Sequence, residues 1–178
     1  RMTGEIASDM SDSAGTLWMD VAKRRWHAPL LAACGLCEDQ MPTLYEGPEE
    51  TGLLRQEAAE AWGLDRVPVV AGGGDNAAGA VGVGVVDEGD ALLSLGTSGV
   101  IFVAGNKFRS NPGSAAHAFC HALPDRWHLM SVMLSAASCL DWACRATGTK
   151  DAERLIEKAE QDGTIACQEV FLPYLSGE

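Results

Sequence analysis

Residues 69–84, VVAGGGDNAAGAVGVG, constrain the fold more than any other part of this chain. The β-branched run from Val67 to Gly72, bounded by Pro68 and glycine, predicts a buried strand. Gly72, Gly73 and Gly74 then allow backbone conformations that other residues avoid, so the chain can approach a ligand closely. Asp75 follows and heads a helix of Ala, Gly and Val. Each interior glycine costs such a helix roughly 1 kcal/mol. A helix built this way suits a place where something packs very near. Strand, glycine turn and helix in that order are the grammar of an α/β protein.

Asp75 sits where the helix dipole favours an anion. An ionised carboxylate facing a pocket accepts a hydroxyl proton as phosphoryl transfer proceeds. Asn76 both donates and accepts hydrogen bonds, which suits orienting a polyol hydroxyl. The competing reading is that Asp75 only caps the helix, worth about 1 kcal/mol. A second candidate is SLGTSG, Ser94 to Gly99. A strand ending in Gly96-Thr97-Ser98-Gly99 offers consecutive N–H groups and two hydroxyls, a phosphate-cradling arrangement. It lacks the Gly-Lys-Ser/Thr of a Walker loop. Its competing reading is an ordinary hairpin turn.

Elsewhere, GTLWMDVA (15–22) alternates like a strand. APLLAAC (28–34) reads as a short helix ending at Gly35. Residues 40–52, with two prolines, read as a loop. Residues 53–62 form an amphipathic helix stopped by Gly63. Runs 90–96 and 100–105 predict one hairpin, and 116–123 with 127–132 a second. A helix over 133–147 ends at Gly148, and another over 151–161 has Asp151 as its N-cap. Residues 169–178 begin as a strand and end in a loop. Composition shifts at DEGD (87–90), which predicts a domain junction there.

Formal net charge is −12. That argues against nucleic-acid and anionic-membrane partners, which need basic surface. A nucleotide ligand is still compatible, because backbone dipoles hold phosphate on an acidic protein. No stretch has the roughly 18–20 apolar residues of a membrane span. The chain opens on Arg1, not Met, without a signal-peptide pattern, and reads as a piece of a longer polypeptide. Cys34, Cys37, Cys120, Cys139, Cys144 and Cys167 read as buried or partly buried free thiols of a reduced, cytoplasmic compartment. CGLC (34–37) lacks the second ligand pair of a zinc finger. His117, His121 and His128, without acidic ligands nearby, read as core or solvated side chains, and no metal ligand is assigned. The five tryptophans read as packing residues.

The segments RMTGEIASDMSDSAGTLWMDVAKRRW, PVVAGGGDNAAGAVGVG, LLSLGTSGV, HAFCHALPDRWHLMSVMLSAASCLDW and FLPYLSGE together resemble the middle of bacterial xylulokinases, of the FGGY carbohydrate kinases. The resemblance covers essentially all 178 residues. It implies an α/β, actin-like (ribonuclease H-like) fold in two parts: 1–88 as the C-terminal part of a sugar-binding domain, and 89–178 as the N-terminal part of a nucleotide-binding domain. It implies ATP-dependent phosphorylation of D-xylulose to D-xylulose 5-phosphate with Mg²⁺. Asp75 resembles the family's catalytic base and Asn76 its neighbour in the sugar site. Gly96, Thr97, Ser98 and Gly99 resemble the second phosphate loop. The small-molecule partners expected are D-xylulose and ATP, with a homodimer as the assembly to test. Family members are much longer. Their first phosphate hairpin, a sugar-site Met-His pair and the adenosine Gly-Gly motif are not in this chain. The 178 residues alone are therefore expected to hold the base and one phosphate loop without turnover. The alternatives are another FGGY sugar kinase, a non-catalytic actin-like binding module, and, more distantly, a metal or redox protein built on CGLC and the histidines.

Overall fold

A computed structural model describes residues 1–163, 170–175 and 177. The chain divides into two compact units, Arg1–Ala91 with Phe102–Met130, and Leu92–Ile101 with Ser131–Glu178.

In the first unit, β1 (Ala7–Asp9) runs into the one-turn helix α1 (Met10–Ser13). Asp9 caps it, its Oδ1 accepting from the N–H groups of Ser11 at 2.8 Å and Asp12 at 3.1 Å. A 3₁₀ turn, Ala14–Thr16, follows, and Leu17 takes a left-handed φ of 66°. This breaks the strand expected over 15–22, leaving β2 (Met19–Asp20) paired with β3 (Arg25–Trp26). Helix α2 (Ala28–Ala33) ends as expected. Gly35, at φ 73°, donates to Ala32 O, and Leu36 N donates to Leu31 O. These bonds satisfy the last carbonyls.

Residues 40–52 are not the expected loop. They contain β4 (Thr43–Tyr45), parallel to β1, and the start of β5 (Glu50–Leu53). Strands of three or four residues flanked by Pro42 and Pro48 leave too little alternation to read locally. Because Leu53 belongs to β5, helix α3 (Gln56–Trp62) starts later than its pattern suggests, and Gly63 stops it at φ 65°. Strand β6 (Pro68–Val70) pairs antiparallel with β5. It is not buried: Val70 is 53% exposed. β5 is its one neighbour among the described residues, so the apolar run lacks the second covering strand its composition suits. Helix α4 (Asp75–Gly82) follows the glycine turn.

One core cluster of this unit is Ala14, Met19 and Cys120, with Trp26, Phe119 and Trp127 packed around it. The indole N–H of Trp26 donates to Pro42 O at 2.8 Å, and that of Trp127 to Val21 O at 2.9 Å. Arg24 ties distant segments together. Its guanidinium grips both Glu46 oxygens, at 2.7 and 2.5 Å, and donates to Arg126 O at 2.9 Å. The fork geometry makes such pairs directional as well as strong.

Both expected hairpins form. They are β7 (Ala91–Leu95) with β8 (Gly99–Gly105), and β9 (His117–Cys120) with β10 (Trp127–Met133). The strand order is β7-β8-β10-β9, with Cys120 opposite Trp127 and His117 opposite Met130.

In the second unit, helix α5 (Ala137–Thr147) ends at Gly148 as expected. It starts four residues late because Met133 still belongs to β10. In helix α6 (Ala152–Asp162), Asp151 is the N-cap and accepts from Arg154 N at 3.0 Å. Of the strand expected from 169, residue 169 lies outside the described residues. From Val170 to Tyr174 the backbone is irregular. Among the described residues, no helix is long and apolar enough to cross a membrane.

Candidate functional site

The N-terminus of α4 is held from a point 63 residues earlier. Asp9, buried, accepts the hydroxyl of Ser11 at 2.5 Å, and that hydroxyl accepts from Gly74 N at 2.8 Å. The carboxylate that caps α1 therefore also sets the turn before α4. A Cβ at Gly73 would stand 2.8 Å from the Ala122 Cβ and 3.4 Å from Ser11 Oγ. The close approach made at Gly73 is to neighbouring protein, where the sequence reading expected a ligand. Gly73→Val is expected to cost about 1–3 kcal/mol from overpacking. Urea midpoints of the two proteins measure this, and equal midpoints would mean the turn has room to spare.

Gly74, not Asp75, is the N-cap of α4, and no side chain caps it. Asp75 is the first helical residue and is exposed. One oxygen, Oδ1, accepts from both Asn76 N at 2.7 Å and Asn76 Nδ2 at 3.1 Å. Among the described residues no protein group donates to Oδ2. The bland reading, a side chain spent on capping, is thus not what the backbone does. Asp75 and Asn76 line a cavity of about 140 Å³ with Ser11, Asp12 and Gly74. Phe119, His128 and Met130 also line it.

Gly96–Gly99 lie in the second unit and form a feature of their own. Gly96 N donates to Ser98 O at 2.9 Å, closing the turn. The carbonyls of Gly96 and Thr97 accept from Ala137 N at 2.9 Å and Ala136 N at 2.8 Å, and the Ser138 hydroxyl donates to Thr97 O at 3.2 Å. The turn thereby serves the orphan donors of α5 in place of a side-chain cap. Thr97 and Ser98 are exposed, and their N–H groups and hydroxyls make no hydrogen bond among the described residues. These are the donors an anion would use.

Two histidines are buried in the first unit. Leu123 N donates to Nδ1 of His121 at 3.3 Å, so the proton sits on Nε2, 3.1 Å from Val85 O. Burial lowers the His121 pKa, opposed by the Val85 carbonyl. His128 stacks on Phe102 with ring centroids 4.0 Å apart. Burial, reinforced by His121, pushes its pKa down to about 3. An unfolded histidine titrates near 6.5. Between those values the unfolded chain binds more protons than the folded one. Stability is therefore full above about pH 7 and falls as pH drops, by about 1.4 kcal/mol per pH unit for one such group. Urea unfolding from pH 7 to pH 4 measures this slope, and His128→Phe is expected to flatten it. An equal slope in that variant would assign the acid sensitivity elsewhere.

His117 is exposed. Cys120 and Cys144 are buried and Cys139 is half-buried. Burial pushes the Cys120 thiol up to about 11, with Arg24 opposing. Cys34 and Cys37 correct the expectation of burial. They are exposed because α2 ends at Ala33 and the chain turns out at Gly35. Trp62 and Trp142 are likewise exposed. Cys167 lies outside the described residues. Sequence reasoning missed Asp9, Ser11, Asp12, Phe119 and Met130. Only the Asp9-x-Ser11 capping pattern in ASDMSDS offered a local signal.

Residues 1–82 match the N-terminal domain of the FGGY family of carbohydrate kinases. The whole chain is 66% identical to Xylulose kinase of Escherichia coli (strain K12) and 60% identical to that of Klebsiella pneumoniae. It spans 37% of the length of each. Among solved structures, a xyloylose kinase from Brucella ovis is 52% identical and superimposes with a TM-score of 0.88. That match covers 99% of this chain and 36% of the other. Plasmodium falciparum glycerol kinase with ADP, 19% identical, aligns over 89% of this chain and 32% of its own at a TM-score of 0.76, a likeness of fold. Along all of its own length the chain is thus similar to xylulose kinases, of which it spans 37%, and its residues 1–82 match the N-terminal domain of the FGGY family of carbohydrate kinases.

Proposed function

We propose that this chain is the part of a xylulose kinase that carries the catalytic carboxylate and one phosphate loop. The reaction is ATP plus D-xylulose giving ADP and D-xylulose 5-phosphate. The observation that carries the reading is Asp75: an exposed carboxylate at a helix N-terminus, lining a cavity, with Oδ2 accepting from no described protein group. The 66% identity of the whole chain to a xylulose kinase supports the choice of sugar.

Asp75 accepts the proton of the attacking hydroxyl as that oxygen bonds to the γ-phosphorus and the bond to the β-phosphate bridging oxygen breaks. Asn76 holds the Asp75 carboxylate through two donors and orients a neighbouring hydroxyl. The N–H groups and hydroxyls of Thr97 and Ser98, with Gly96 and Gly99 giving the turn its shape, receive the β- and γ-phosphate oxygens. Transfer of this kind depends mainly on positioning and charge stabilisation. Among the described residues no three His, Cys, Asp or Glu side chains are placed to hold a metal. Mg²⁺ bound with the nucleotide would neutralise charge on the phosphate oxygens during transfer. In this reading residues 1–88 belong to the sugar domain and 89–178 to the nucleotide domain of a cytoplasmic enzyme, with a homodimer as the proposed assembly.

The test is a coupled ADP-release assay with a panel of sugars on a full-length kinase carrying this segment. D-xylulose is expected to give the highest kcat/KM. Preference for glycerol or gluconate would replace the substrate, and no sugar-dependent ADP release would end the reading. The 178-residue polypeptide alone is expected to show no turnover in the same assay.

A further inference from the structure

We propose that His128 is a substrate-contacting residue, its imidazole hydrogen-bonding a hydroxyl of the acceptor polyol in the cavity that Asp75 lines. This rests on the kinase reading above and adds a specificity-determining group to it.

His128 is 4% exposed, and its Nδ1 has no hydrogen-bond partner among the described residues. An unsatisfied buried polar atom is costly, and a native structure holds few of them. The ring is also locked. It stacks on Phe102 with an 18° interplanar angle, and Phe119 stands edge-on at 5.8 Å. Side chains alternate along a strand, so His128 and Met130 share one face of β10. Both line the same cavity as Asp75 and Asn76. A carboxylate and an imidazole on the walls of one small cavity make a polar pair at the place where a hydroxyl must be held.

The chemistry fits a polyol. Burial keeps the imidazole neutral, with one donor and one acceptor nitrogen, and a hydroxyl answers either. A cavity of about 140 Å³ admits several waters or one end of a small sugar, below the usual 300–1,000 Å³ of a whole-ligand pocket. The competing account is a histidine kept only as an aromatic-sized core residue, for which Phe would serve equally.

His128→Phe and His128→Gln in the full-length kinase separate the two. The Phe variant keeps the stack on Phe102 and removes the nitrogen. It is expected to raise KM for the sugar about tenfold, leave KM for ATP unchanged and keep the unfolding midpoint at pH 7. The Gln variant is expected to recover part of the sugar affinity. A sugar KM within twofold of wild type in the Phe variant overturns the proposal. Imidazole nitrogen NMR of the unaltered protein needs no variant to fold. Adding D-xylulose is expected to shift the His128 resonance, and an unmoved resonance under saturating sugar overturns the assignment. Wild-type protein that neither binds nor phosphorylates any sugar would instead remove the kinase reading itself.

Discussion

Asp75→Asn is expected to lower kcat about 10²–10⁴-fold in a full-length kinase carrying this segment, with KM for ATP nearly unchanged. The amide keeps the size and the hydrogen-bonding capacity of the side chain but cannot take up the hydroxyl proton. The structural cost is small, because Asp75 does not cap α4: Gly74 occupies that position. What is lost is a negative charge near the helix N-terminus, worth about 0.3–1 kcal/mol at an exposed position. Steady-state kinetics paired with a urea midpoint distinguishes the two roles. A kcat within tenfold of wild type would remove Asp75 as the base, whatever happened to stability.

Phe102→Ala is expected to lower stability by about 3–5 kcal/mol. Phe102 is fully buried, with His128 stacked on one side and His121 edge-on at 5.5 Å. Truncation leaves a cavity bordered by two imidazoles. One of them, His128, already lacks a partner for Nδ1. A loss of that size is a large share of the 5–15 kcal/mol by which ordinary domains are stable. Tryptophan fluorescence followed through urea unfolding reads it. A loss under about 1 kcal/mol would mean that the histidines and Phe119 close the space, and that the stack is not a stabilising centre of the unit.

The reading of this chain from its sequence succeeded where the physics is local. Gly35, Gly63 and Gly148 end their helices because each adopts a positive φ that a Cβ penalises. Asp151 caps α6 because a short carboxylate reaches the N–H three residues on. β9 and β10 pair as a hairpin as their apolar runs indicate, though β9 stops at Cys120 and the connection is longer than PDR alone. The failures are equally physical. Residues 15–22 alternate, yet Leu17 adopts a left-handed turn and the run breaks. The valines around β6 looked buried because their composition suits a covered strand, but burial is decided by neighbours and not by side-chain chemistry.

Sequence alone determined the local part of the candidate site. The glycine turn, the acid that opens a helix of small residues and the GTSG turn each follow from backbone preferences over a few positions. Tertiary structure alone decided that Ser11 fastens Gly74, that Arg24 reaches Glu46 and Arg126, and that His128 lines the same cavity as Asp75. These groups lie tens of residues apart, 102 in the case of Arg24 and Arg126. Periodicity and capping act within a turn or two of the chain. Hydrogen-bond partners and shared cavities depend on which distant segments packing brings together.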